Sequence, residues 1–136
     1  MRLEVTRKSD LAVRSMRALA AAPGRMKGPE LAKAVGSTSA FVSQVLSPLV
    51  RAGLVRSDPG PTGGYSLTAD LDNVSLREVI ETIEGPTDAG RCVLTDGPCD
   101  AVGSCALHEP WLRARSQLLA ELDATSVADA SERNDG

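Results

Sequence analysis

Apolar residues recur along most of this chain at helical spacing, and Gly, Pro and small polar residues punctuate the runs. Over residues 7–22 (RKSDLAVRSMRALAAA), Ala12, Met16 and Leu19 fall within about 60° of one another at a helical 100° per residue. The alanines add helix propensity, and Pro23-Gly24 marks the stop. Residues 28–35 (GPELAKAV) predict a short second helix, with Pro29 suited to its first position and Gly36 to its end. A third begins near residue 38, behind the N-cap signal Ser37-Thr38. Its apolar stripe is Val42, Val45, Leu46, Leu49 and Val50; Ala40, Ser43, Gln44, Ser47 and Arg51 occupy the opposite arc. Pro48 lies inside this pattern. It removes a backbone donor and clashes near the carbonyl of Gln44, so a kink or break is expected, with Pro48 opening a last short turn.

After Gly53 the pattern shortens. LVRSD (54–58) and GYSLT (64–68) predict two strands joined through PGPTG (59–63), a hairpin loop by composition. Residues 75–84 (SLREVIETIE) predict a fourth helix, with Ser75 and Glu78 at capping-box spacing. A glycine-spaced segment with Cys92, Cys99 and Cys105 follows, too irregular for a helix or strand. The last predicted helix covers about 107–123. Its stripe of Leu107, Trp111, Leu118 and Leu122, broadened by Leu112 and Leu119, exceeds what one small domain covers and so predicts a dimerisation helix. The tail SVADASERNDG is polar and expected to fray. The fold class is thus mainly α with a small β-hairpin: a winged helix–turn–helix over residues 1–68, then a cysteine loop and dimerisation helix over 69–136.

Composition narrows this picture. With 136 residues, 42% hydrophobic and 24% charged, the chain is expected to be globular. It has no apolar run of spanning length and no leader-like start, so a cytoplasmic protein without membrane association is expected. Only Phe41, Tyr65 and Trp111 are aromatic, so the core must rest on aliphatic side chains. The net charge of −3 hides an asymmetry: residues 1–68 hold ten basic and four acidic residues, residues 69–136 five and fourteen. A basic half beside an acidic one suits a polyanion-binding surface with a separate sensing region.

The helix–turn–helix order supplies candidate DNA contacts. The N-terminal part of such a second helix reaches base edges in the major groove. Gln44 can pair with adenine, Ser43 can donate or accept, and Ala40 shares their arc. Ser37, Thr38 and Ser39 can hold a phosphate at the helix start. Arg7, Lys8, Arg51 and Arg56 suit backbone phosphates, while Thr62, Gly63, Gly64 and Tyr65 would bring the wing close to the duplex. A bundle with a solvated polar face, docking a protein partner, has the same pattern.

The second candidate site is Cys92-x6-Cys99-x5-Cys105-x2-His108. Three thiolates and an imidazole suit one metal centre. Structural zinc sites usually bring cysteines in tight C-x2-4-C pairs, which are lacking, whereas iron–sulfur ligation tolerates varied spacings. A thiol–disulfide switch uses the same cysteines. Enzymatic motifs are missing: there is one His, no G-x-S-x-G, no P-loop and no dinucleotide fingerprint, so an enzyme is not expected.

LVRAGLVRSDPGPTGGYSL, followed by the three-cysteine segment and a long helix, resembles the Rrf2 family of winged-helix transcription regulators, from Met1 to about residue 129. The resemblance implies a homodimer that binds a palindromic double-stranded DNA operator and carries one iron–sulfur cluster per subunit. Cys92, Cys99 and Cys105 match the family's cysteine ligands. His108 matches the histidine of the family's 2Fe–2S regulators, and is preferred as fourth ligand because Cys-x2-His keeps it in reach. Asp10 matches the aspartate that, in the nitric-oxide-sensing branch, ligates a 4Fe–4S cluster from the other subunit. Three departures stand out: a first cysteine gap of six residues where five is the pattern, Pro59 where the wing often carries Arg, and Ser43 where an operator-filtering Glu occurs.

Overall fold

The computed structural model describes residues 6–87 and 106–130. Helices α1 (Arg7–Ala21), α2 (Gly28–Val35) and α3 (Ser39–Arg51) are followed by the antiparallel strands β1 (Val55–Asp58) and β2 (Gly64–Leu67). A 3-10 turn over Leu71–Asn73 leads into α4 (Leu76–Glu84), and α5 (His108–Ala124) comes last. Among the described residues, none of the helices is long and apolar enough to cross a membrane.

The aliphatic stripes of α1 to α4 meet in one core. Met16, Leu31, Val42, Val45, Leu46, Leu49, Val55, Val79 and Val127 are each under 2% exposed or nearly so, and they belong to a single buried cluster running from α1 to the residues after α5. Burying a Leu, Val or Met of this kind contributes about 1.5–3 kcal/mol.

Local chemistry sets the helix ends. The Thr38 hydroxyl accepts from the Phe41 amide at 3.2 Å and opens α3. Ser75 does the same for α4, accepting from the Glu78 amide at 3.1 Å. Gly36 adopts φ +69°, the left-handed conformation that ends α2 and allows a tight turn into α3. The start of α1 is satisfied from far away: the Glu84 carboxylate accepts from the Thr6 amide at 3.2 Å and from the Ser9 hydroxyl. A carboxylate there also complements the positive end of the helix.

Two expectations need correction. Pro48 does not break α3, which runs on to Arg51. Only three residues follow Pro48, so little of the ladder is disturbed. Leu46 and Leu49, buried on either side of it, hold the last turn in register. The tail is not frayed up to residue 130 either. The Val127 amide donates to Val74 at 2.8 Å, the Ala128 amide to Leu71 at 3.3 Å, and Arg17 donates to the Ala130 carbonyl. Val127 is fully buried, and this one apolar anchor outweighs the polarity around it.

The hairpin is also wider than its sequence implies. β2 pairs with β1 on one side, Val55 facing Leu67 and Asp58 facing Gly64. On its other side it pairs with Met26, whose amide and carbonyl bond to Tyr65 at 3.0 and 2.7 Å. The wing is therefore stitched to the turn between α1 and α2.

Candidate nucleic-acid interface and cysteine segment

α3 buries Val42, Val45, Leu46 and Leu49 and turns the opposite arc to solvent. Ser39, Ala40, Ser43, Gln44, Ser47 and Arg51 are all exposed along it, with Thr38 at its start and Ser37 half-buried in the turn. The Arg51 guanidinium donates to the Ser47 hydroxyl at 3.1 Å, which steadies it on the helix surface. Arg7 and Lys8 are exposed in the first turn of α1. The arc offers one amide, several hydroxyls and a cation at its end, a surface that can hydrogen-bond base edges and phosphates.

In the wing, Thr62 is exposed, Gly63 buried, and Gly64 and Tyr65 half-buried. A Cβ on Gly63 would sit 2.0 Å from the Asp58 carbonyl oxygen, and one on Gly64 2.6 Å from the Met26 oxygen. Both glycines are thus accounted for by close backbone approach within the sheet. Tyr65 packs against the core while its backbone bonds Met26. Arg56 is exposed but engaged, with its Nε and Nη2 each 3.1 Å from Asp58 Oδ1. Arg25 joins them from outside the hairpin. Its Nε lies 3.4 Å from Asp58 Oδ2, and its Nη1 donates to the Thr62 carbonyl at 3.3 Å. No local signal marks Arg25; only the pairing of its neighbour Met26 with Tyr65 brings it there.

Cys92, Cys99 and Cys105 lie outside the described residues. Of the candidate fourth ligands, His108 is the half-buried first residue of α5. Asp10 is exposed on α1, and Arg14 is 4.0 Å from it. Among the described residues, no three His, Cys, Asp or Glu side chains gather into a metal site.

The chain just before the cysteine segment is held by charge. Glu81 on α4 accepts from the Thr87 hydroxyl at 2.5 Å and from the Thr87 amide at 3.2 Å. Arg77, one turn earlier, donates to Glu81 at 3.2 Å and to Asp123 of α5 at 2.8 Å. The Thr87 hydroxyl, backed by Arg77 and opposed by partial burial, holds the Glu81 carboxyl below its usual range. Asp123 and then Glu81 hold the Arg77 guanidinium still more firmly protonated.

A depressed carboxyl stabilises the fold fully above its unfolded value, about 4.3, and the contribution is lost as pH falls through the lower folded value. The Thr87 amide resonance should therefore shift in an acid titration with a midpoint below that of a free glutamate, and Glu81→Gln should erase the step. A midpoint in the ordinary range would mean that Thr87 is not tied to the carboxylate. These ion pairs are partly exposed, so the tether positions the chain more than it stabilises it.

Residues 5–133 match the Rrf2 family model, described as an iron-dependent transcriptional regulator. The chain is 31% identical over 114 residues to the HTH-type transcriptional regulator CymR of Bacillus subtilis, covering 81% of this chain and 78% of that protein. It is 30% identical over 135 residues to the HTH-type transcriptional regulator IscR of Aliivibrio salmonicida, covering 98% of this chain and 80% of that protein. The solved structure of CymR, the global cysteine regulator of B. subtilis, superposes with a TM-score of 0.76 at 27% identity, over 94% of this chain and 95% of that one.

Proposed function

Since the chain belongs to the Rrf2 family of helix–turn–helix transcriptional regulators, we propose that it acts as a homodimer on a palindromic operator, under the control of an iron–sulfur cluster. The single observation that carries the cluster reading is the donor set. Cys92, Cys99 and Cys105 lie within fourteen residues, His108 follows at once, and no other cysteine or histidine occurs in the chain. Thiolates with one imidazole suit iron–sulfur ligation. The described flanks agree with such a site: Thr87 is anchored to Glu81 before it, and half-buried His108 opens α5 behind it. A family model described as iron-dependent supports the same choice.

In this reading Cys92, Cys99, Cys105 and His108 would hold a 2Fe–2S cluster. Asp10 of a second copy would replace His108 in a 4Fe–4S arrangement. When bound, the cluster supplies a centre sensitive to oxidation, nitric oxide or loss of iron. The protein does the rest. The half-covered leucines and Trp111 of α5 form the dimer seam. Arg77 joins α4 to α5 through Asp123. The spacing of the two α3 helices then sets operator affinity, because two half-sites must be met at once. A coupling of about 1–3 kcal/mol between loop and DNA corresponds to a roughly 5- to 150-fold change in binding. Gln44 and Ser43 read bases, while Arg7, Lys8 and Arg51 meet phosphates.

Anaerobically purified protein should be coloured and contain iron and sulfide. Cys105→Ala should abolish the visible absorption while leaving the helical circular dichroism intact. Removal of iron should change operator binding in a gel shift. Colourless protein with one tight zinc, or operator binding unaltered by chelation, would reject cluster control. The likeness to a cysteine regulator favours one second reading, in which the same three thiols report thiol status through a disulfide. Reversible loss of titratable thiols without iron identifies that case.

A further inference from the structure

Asp58 closes the wing over two arginines that come from different parts of the chain. Arg56 is its near neighbour on β1, and both Nε and Nη2 approach Oδ1 at 3.1 Å. Arg25 comes from the turn between α1 and α2 and crosses the start of β2 to reach Oδ2 at 3.4 Å. Asp58 faces Gly64 across the hairpin, and side chains on Gly63 and Gly64 would collide with the Asp58 and Met26 backbones. The same Arg25 also holds the Thr62 carbonyl near the loop tip.

The exposures are unequal in a telling way. The Asp58 side chain is 19% exposed, against 48% for Arg25 and 62% for Arg56. The carboxylate is therefore covered and the two cations remain at the surface. Oδ2 is buried and accepts no directed hydrogen bond, so Arg25 is held there by charge. The Nε side of a guanidinium held in that manner can turn to another anion without breaking an aligned bond to the carboxylate.

We propose that Arg25 is a phosphate-contact residue of the wing and that Asp58 is its intramolecular competitor, positioning Arg25 and Arg56 side by side while lowering their grip on the DNA backbone. The inference rests on the DNA-binding reading above but not on the cluster. The hairpin loop over residues 59–63 holds no cation of its own, so the charge reaches the wing from the turn before α2.

The test is binding of the full chain to a short random-sequence duplex by fluorescence anisotropy across a fourfold range of salt. Removing Asp58's charge adds about one phosphate equivalent. D58N should therefore bind several-fold more tightly at the lowest salt, with a log–log slope steeper by about 0.9, an extra loss of about 3.5-fold over that range. R25A should show the reverse, weaker binding with a slope flatter by about 0.9. A D58N protein with the wild-type slope, with weaker binding or with no stable fold overturns the proposal, as does an R25A protein with an unchanged slope. Failure of the DNA-binding reading is separate: the unsubstituted chain would then bind no duplex at any salt.

Discussion

Val127→Asp should abolish or nearly abolish cooperative folding. Val127 is fully buried in the cluster that includes Met16, Leu31 and Val79. Its amide donates to Val74 at 2.8 Å, so the side chain cannot swing outward without breaking that bond. An unpaired carboxylate there must either be desolvated as an ion or take up a proton, and either costs several kcal/mol. Domains of this size are stable by only about 5–15 kcal/mol, so the loss consumes much or all of the total. Val127→Ala removes two methyl groups and should cost about 1–2 kcal/mol, by the worth of each buried carbon. Urea denaturation followed by far-UV circular dichroism separates these values. An unchanged midpoint for Val127→Asp would show that the segment after α5 contributes nothing to the core.

Gly63→Ala should disable the wing while leaving the helices folded. The added Cβ would lie 2.0 Å from the Asp58 oxygen, 2.6 Å from that of Pro59 and 2.7 Å from the Asp58 carbonyl carbon. All three are backbone atoms, so no rotamer change relieves the clash. β1 and β2 must part at the end where Asp58 faces Gly64. The cost is at least the roughly 1–3 kcal/mol of an overpacked site, and it falls on the hairpin. DNA affinity should drop, since Arg56 and Thr62 lose their placement, while the α-helical signal persists. Gly24→Ala is the control: nothing lies within 4 Å of a Cβ there, so stability should hold or rise by a few tenths of a kcal/mol. Equal behaviour of the two variants would remove the steric account of the glycine pair.

Much of this architecture is legible in local sequence, because it is set by local forces. α2 occupies the expected residues 28–35, and its Pro and Gly punctuation is local chemistry. Thr38 and Ser75 cap the helices that their spacing announces. The hairpin lies within a residue of its expected ends. What periodicity misses is long-range. The Met26–Tyr65 bridge joins residues that share no pattern, and a lone Val127 in a polar stretch carries no periodic signal. Pro48 misleads for another reason: a general penalty, fixed by the clash with the preceding turn, is outweighed by the burial of Leu46 and Leu49. The polar arc of α3 is exposed as its composition suggests, whereas Arg25 is found only through tertiary pairing.

The stitch between Met26 and Tyr65 has a bearing on how fast and how sharply the molecule engages its target. A hairpin hinged only at its ends would sample many orientations and surrender that freedom on docking. Here the bridge to Met26 already limits it in the folded chain, so any docking of the wing would be closer to the meeting of rigid shapes. The freezing cost normally charged to association, about 0.5–1.5 kcal/mol per side chain held still, is correspondingly smaller for this part of the surface.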